Sequence, residues 1–249
     1  VAKFVAKLRG IEGKKYIYGV DPASESDNFA LVILEHWGDH RRVVYTWTTN
    51  KAKQKAELKN GMVKTKNFYK YAVEKIRSLF KEFPPERILV DKGGGGLAIR
   101  EAFSDEDKLN GDQPIYEVIS DDPKEHKDTD DMQGLHLLEI VDFTTDWLIE
   151  ANEGMKKDME DKVLLFPIID SLELGMAEIE YELTGNKMMN EDGDMVFVTS
   201  DTLEQNMLEI EKLKDELATI VITETPTGKR RWDTPDQKLP GSKVGRMRK

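Results

Sequence analysis

Residues 16–21, Tyr-Ile-Tyr-Gly-Val-Asp, are an apolar run that ends on an acid, and a small polar stretch leads straight from it into a second apolar run at 29–35. A β-strand closed by a carboxylate and feeding a tight turn holds that carboxylate on a rigid sheet edge, where a hard divalent cation or a phosphate can reach it. The chain repeats the device at 87–91, Arg-Ile-Leu-Val-Asp, now followed by Lys92, four glycines at 93–96 and a helical stretch over 97–103. Two strand-end aspartates, Asp21 and Asp91, on one parallel-type sheet are able to share a pair of metal ions.

The pattern around these runs is α/β. Residues 29–35 and 42–49 are β-branched and aromatic runs joined by Trp37-Gly38-Asp39, a hairpin signal, and with 16–21 they make a three-stranded meander. From 67 to 83, Phe68, Ala72, Ile76 and Phe80 recur at four-residue spacing and give a helix one apolar face, stopped by Pro84-Pro85. A crossover leads to the strand ending at Asp91. A helix over 97–103, a strand over 114–119 and an amphipathic helix over 133–151, carrying Leu137, Val141 and Leu148, complete the series. Its order is strand, strand, strand, helix, strand, helix, strand, helix. The remainder is less regular: a short strand at 163–168, a helix at 171–183, and a hairpin at 188–198 turning on Asp192-Gly193. A helix at 202–217 follows, capped by Thr202, with Glu204 and Glu209 early and Lys212 and Lys214 late, as its dipole favours. Strands at 218–224 and 229–233 surround the turn Pro226-Thr-Gly228. Residues 170–200 read as an insertion on the edge of the core.

At 249 residues the chain is long enough to bury a real core, and one elaborated domain is expected. No stretch approaches the ~18 apolar residues of a membrane span and no apolar signal region opens the chain. A soluble intracellular protein, with no membrane partner, is the expectation. The absence of cysteine removes disulfides and thiolate metal sites, leaving oxygen or imidazole ligands. A net charge of -11 argues against a nucleic-acid partner only until it is divided along the chain. Residues 117–216 hold 29 acids and 8 Lys/Arg, a net -21, and the rest of the chain is +10. From 221 to 249 there are 8 Lys/Arg against 3 acids, clustered at Lys229-Arg230-Arg231 and at Lys243, Arg246, Arg248 and Lys249. A basic tail beside acidic strand ends suits a phosphodiester backbone, although the last cluster by itself reads equally as a solvated tail.

Three antiparallel strands, a helix, and a fourth strand parallel to the first, with acids ending strands one and four, match the ribonuclease H-like fold. Within it the sequence resembles the nuclease domain of the large terminase subunit of tailed bacteriophages. The residues that carry the resemblance are Tyr18-Gly-Val-Asp21-Pro-Ala with Asp27 in the turn, Ile88-Leu-Val-Asp91 with its glycines, Trp232-Asp233-Thr-Pro-Asp236, and Leu239-Pro-Gly-Ser-Lys-Val-Gly-Arg-Met-Arg-Lys249. Most of the chain is covered, with little of the resemblance falling on 121–200.

The resemblance implies an α/β fold with a mixed sheet flanked by helices, and a two-metal endonuclease that cuts double-stranded viral DNA during genome packaging in the host cytoplasm. Two Mg2+ or Mn2+ ions are implied, with Asp21 bridging them and Asp91 holding one. The glycines after Asp91 then let a DNA backbone come close at a helix start. Lys92, Arg230, Arg231, Lys243, Arg246 and Arg248 are the expected DNA contacts. The family's third acid lies on a late helix, and in the Pro-Gly-x-Lys-x-Gly-Arg-Met-Arg-Lys pattern it follows the closing lysine. It is therefore expected beyond Lys249, with Asp233 or Asp236 as the alternatives within the chain. Domain 16–249 is then the nuclease, and 1–15 the remnant of a connection to an ATPase domain of the same polypeptide, with the portal and the small terminase subunit as further partners.

No G-x-x-x-x-G-K-[ST] occurs, since Gly228-Lys229 is followed by Arg230 and lacks the upstream glycine. An actin-like or sugar-kinase-like ATPase of the same superfamily is the rival enzyme, but it calls for a second phosphate-binding hairpin and a late glycine-rich adenosine loop, and neither is found. A non-catalytic docking domain using the acidic centre is the rival without chemistry. Asp27 reads as a turn residue and His36, His40, His126 and His136 as surface residues. Met188 and Met207 belong to packing.

Overall fold

The computed structural model describes residues 4–6, 8–22, 28–105, 109, 111–168, 171–172, 175–176, 179, 187–189, 195–197, 202–224, 228 and 230–233. Strands β1 (Tyr16–Asp21), β2 (Phe29–Trp37) and β3 (His40–Thr49) form the expected antiparallel meander. Helices α1 (Lys51–Lys59) and α2 (Phe68–Ser78) lead to β4 (Pro85–Asp91), which lies parallel to β1. After α3 (Gly96–Ser104) come β5 (Ile115–Glu117), β6 (Leu135–Val141), α4 (Thr145–Glu160) and β7 (Leu164–Leu165). One seven-stranded sheet results, in the order β5-β6-β4-β1-β2-β3-β7, parallel from β1 outward through β4, β6 and β5. This is the mixed sheet the sequence predicts.

The side chains of one face, Tyr16, Tyr18 and Val20 with Phe29, Leu31, Ile33, Ile88 and Val90, are all buried in one core with Phe68, Ala72 and Ile76 of α2 and Ile99 and Phe103 of α3. The opposite face, carrying Ala30, Val32 and Leu89, is only half-buried, and Gly19 on it is exposed. Residues of the N-terminal segment join the core: Ala6 and Leu8 are buried, and the Ile168 N–H donates to the Phe4 carbonyl at 2.9 Å.

Helix α2 has the predicted start, Asn67 accepting from the Lys70 N–H at 2.9 Å, but it ends at Ser78 rather than 83. The turns at 79–83 carry Phe83 back into the core, where its ring meets Tyr16 at 5.3 Å and its carbonyl accepts from the Tyr18 hydroxyl at 2.6 Å. Burial of Phe83 there outweighs another turn of helix. Helix α1 was not foreseen. Its single buried residue is Gln54, so it has no apolar stripe to read; Asn50 caps it by accepting from the Lys53 N–H.

The helix predicted over 133–151 is wrong. Residues 135–141 are strand β6, and the helix is α4, begun by Thr144 accepting from the Trp147 N–H at 3.2 Å. A strand between two parallel neighbours reads as a near-continuous apolar run, and Leu135, Leu137, Leu138, Ile140 and Val141 fit that as well as a helical period. Pairing decides: β6 bonds β4 on one side and β5 on the other.

Later elements follow the reading more closely. The strand at 163–168 shortens to β7, paired with β3 at Arg41 and Arg42. Of the helix expected at 171–183, residues 171–172, 175–176 and 179 are described and helical. Strands β8 (Lys187–Met189) and β9 (Met195–Phe197) pair antiparallel, and the Asp192-Gly193 turn lies outside the described residues. Helix α5 (Leu203–Thr219) opens with a reciprocal capping box between Thr202 and Gln205. Because it runs to Thr219, β10 (Val221–Glu224) starts later than 218; it pairs with β11 (Arg230–Asp233). No described helix is long and apolar enough to cross a membrane.

Candidate functional site

The register of β1 on β4 pairs Gly19 with Leu89 and Val20 with Val90, so Asp21 and Asp91 come next, side by side at the C-terminal ends of neighbouring parallel strands. Strand spacing puts their backbones about 4.8 Å apart. Both share the alternation of Gly19 and Leu89, away from the core. Asp21 is exposed and Asp91 half-buried, and both line a cavity of about 300 Å3 whose other walls include Gly19, Leu89, Phe143 and Trp147.

The glycine run after Asp91 has local causes. The Gly93 N–H donates to Asp91 Oδ1 at 2.9 Å, turning the chain out of the strand. Gly95 has φ 141, a conformation closed to other residues, and a Cβ on Gly96 would overlap the Asp91 carbonyl. The chain can therefore turn at once into α3, whose first residues stand beside Asp91. Lys92 is tied to β6: its N–H donates to the Val141 carbonyl at 2.8 Å and its Nζ pairs with Asp142 Oδ2 at 3.0 Å.

Asp142 is a third strand-end aspartate, hidden from sequence reasoning by the helical reading of 133–151. Asp91 pairs with Val141, so Asp142, one residue on, belongs to the other face and reaches Lys92 instead. Among the described residues no three Asp, Glu or His side chains converge to hold a metal ion. Of Arg230, Arg231 and Asp233 the backbone is described, as β11 against α4. Asp27, Asp236, Lys243, Arg246 and Arg248 lie outside the described residues. His36 and His126 are exposed; His40 and His136 are half-buried, and His40, His126 and His136 each bond a backbone carbonyl.

No protein-family model matches the sequence, and no curated protein matches it. Solved structures do. The large terminase nuclease of thermophilic phage G20c with bound magnesium aligns over 96% of this chain and 85% of its own, at 11% identity and a TM-score of 0.50. What the chain shares with that nuclease is the fold, a mixed α/β sheet flanked by helices. The HK97 bacteriophage large terminase aligns over 92% of this chain at 13% identity and a TM-score of 0.45, and the chain spans 37% of its length. The Thermus phage P74-26 large terminase nuclease domain aligns over 84% of this chain and 87% of its own, at 9% identity and a TM-score of 0.37. In this chain the two acids sit at the ends of the neighbouring parallel strands β1 and β4.

Proposed function

We propose that the chain is a metal-dependent endonuclease cutting double-stranded DNA during phage genome packaging, as the nuclease part of a large terminase. The observation that carries this is the register of β1 on β4, which sets Asp21 and Asp91 side by side on the open face of the sheet. Two adjacent carboxylates without cysteine or histidine beside them are the donor set a hard divalent cation requires. Asp21 and Asp91 would hold Mg2+ or Mn2+. Such ions, when bound, lower the pKa of water and neutralise charge on the phosphodiester oxygens.

The remaining contributions come from the chain. The start of α3, just past Asp91, presents backbone N–H groups that favour a phosphate. Arg230 and Arg231 on β11, with Lys243, Arg246 and Arg248, would supply positive charge for a phosphodiester backbone. The third acid is proposed to be Asp233, Asp236 or a residue following Lys249. An ATPase domain of the same polypeptide, the portal and the small terminase subunit are the proposed partners, in the host cytoplasm.

The test is nicking of supercoiled plasmid in Mn2+. Cleavage that stops with EDTA and is lost in Asp21→Asn supports the reading. ATP turnover without cleavage, or undiminished nicking by Asp21→Asn, rejects it.

A further inference from the structure

We propose that Phe143 and Trp147 form a stacking platform for one unpaired nucleobase, next to the phosphodiester that lies at Asp21 and Asp91. The idea rests on the nuclease reading and adds a subsite to it. The two rings stand where β6 gives way to α4, with centroids 4.3 Å apart and planes only 10° apart. They form one side of the cavity that Asp21 and Asp91 share. Phe143 is 39% and Trp147 37% exposed, whereas Phe29, Phe83 and Phe103 are fully buried. Two flat side chains stacked on one another and open to solvent, beside acids suited to a metal and a phosphate, match the two ends of a nucleotide. The phosphate belongs at the acids and the base against the rings, since an aromatic face accepts any base through its π-surface.

The surroundings favour that occupant. Gly19, Ala30, Val32 and Leu89 make the floor of the cavity apolar, and the small Gly19 and Ala30 leave room for a planar group. The backbone N–H of Trp147 donates to the Thr144 hydroxyl in the cap of α4, which fixes the start of the helix, and the indole ring itself is oriented by its stack on Phe143. A platform ordered before binding loses little freedom when a base arrives. A base within a duplex is already stacked on its neighbours, so an unpaired or frayed nucleotide gains most from these rings. The subsite should thus favour DNA opened at the nucleotide beside the cut.

The experiment uses the whole chain with a single-stranded oligonucleotide carrying one 2-aminopurine, titrated in Ca2+ so that strands stay intact. Quenching of the 2-aminopurine on binding is expected. Trp147→Ala should remove the quenching and weaken binding about tenfold, and Trp147→Phe, which keeps a ring, should restore both. An abasic site at the same nucleotide should weaken the unaltered protein as much as Trp147→Ala does, and should not weaken that variant further. Equal quenching by the unaltered protein and Trp147→Ala overturns the proposal. So does the absence of any quenching, whether the rings are covered by another part of the chain or by a second copy. If Trp147→Ala melts more than a few degrees early, the abasic comparison on the unaltered protein decides alone, and an abasic oligonucleotide bound as tightly as the intact one counts against the platform. Plasmid nicking in Mn2+ is read in parallel. Nicking without quenching refutes the subsite only, and quenching without nicking refutes the nuclease reading.

Discussion

Asp21 and Asp91 occupy equivalent strand ends, yet Asp91 carries a structural task as well, since its Oδ1 takes the Gly93 N–H. Substitution by asparagine keeps that acceptor while removing the charge. Asp21→Asn and Asp91→Asn should each lower plasmid nicking at least about 100-fold, because a divalent site loses a charged ligand. Without metal, both variants should melt at or above the temperature of the unaltered protein, since two adjacent carboxylates repel one another. Calorimetry with and without Mn2+ checks this. The glycines act through sterics. Gly96→Ala forces a Cβ into the Asp91 carbonyl, which is backbone and cannot swing aside, so it should destabilise by about 2 kcal/mol in urea titration. It should also lower nicking, because the displaced group is the backbone of Asp91 itself.

At the level of elements, β3 meets β7 only at Arg41 and Arg42, and helix α5 serves part of the edge beyond. Buried Asn206 accepts from the Thr46 N–H and donates to the Val44 carbonyl, both at 3.0 Å. Asn206→Ala leaves two buried backbone groups unpaired and should cost about 2–3 kcal/mol in chemical denaturation. One turn later, Glu209 accepts from the Thr48 hydroxyl and from Lys212, both at 2.6 Å. Burial pushes its carboxyl up, but bonds from Lys212 and Thr48 and the charges of Lys212 and Lys53 prevail and hold it below its ordinary 4.5. A carboxylate depressed on folding adds stability above its unfolded value, and the folded state surrenders it as pH falls through the lowered one. Glu209→Gln should therefore lose stability at neutral pH, and its deficit should shrink toward zero below pH 4.5. Melting curves across that range check the sign.

On the scale of the whole molecule, charge is segregated: -21 over 117–216, and +10 elsewhere. On the proposed nuclease reading, duplex DNA should be drawn to one part of the chain and repelled by another, giving weak, sequence-tolerant binding. Affinity should drop at least about tenfold between 50 and 200 mM salt. Replacing Arg230 and Arg231 by Glu should weaken binding alike on unrelated sequences, as contacts to phosphates do. Fluorescence anisotropy on two unrelated duplexes at each salt level reads both effects.

Asp21 and Asp91 were legible because a strand-end acid is a local pattern: the apolar run, the carboxylate and the turn lie within a few residues of one another. The same holds for the Thr202 cap and for the β2–β3 hairpin, each set by neighbours in sequence. By itself, then, the sequence determined the meander, the crossover into β4 and the placing of two acids at strand ends. The tertiary structure decided what depends on distant partners. An apolar run at 135–141 serves helix or strand, and only the flanking β4 and β5 made it β6, which uncovered Asp142 and set Phe143 and Trp147 beside the acids. Helix α2 gave up its last turn because Phe83 had a place to fill between Tyr16 and Tyr45. Adjacency of the two carboxylates likewise came from register, because hydrogen bonds between β1 and β4 align residues 70 positions apart, and no local pattern encodes that alignment.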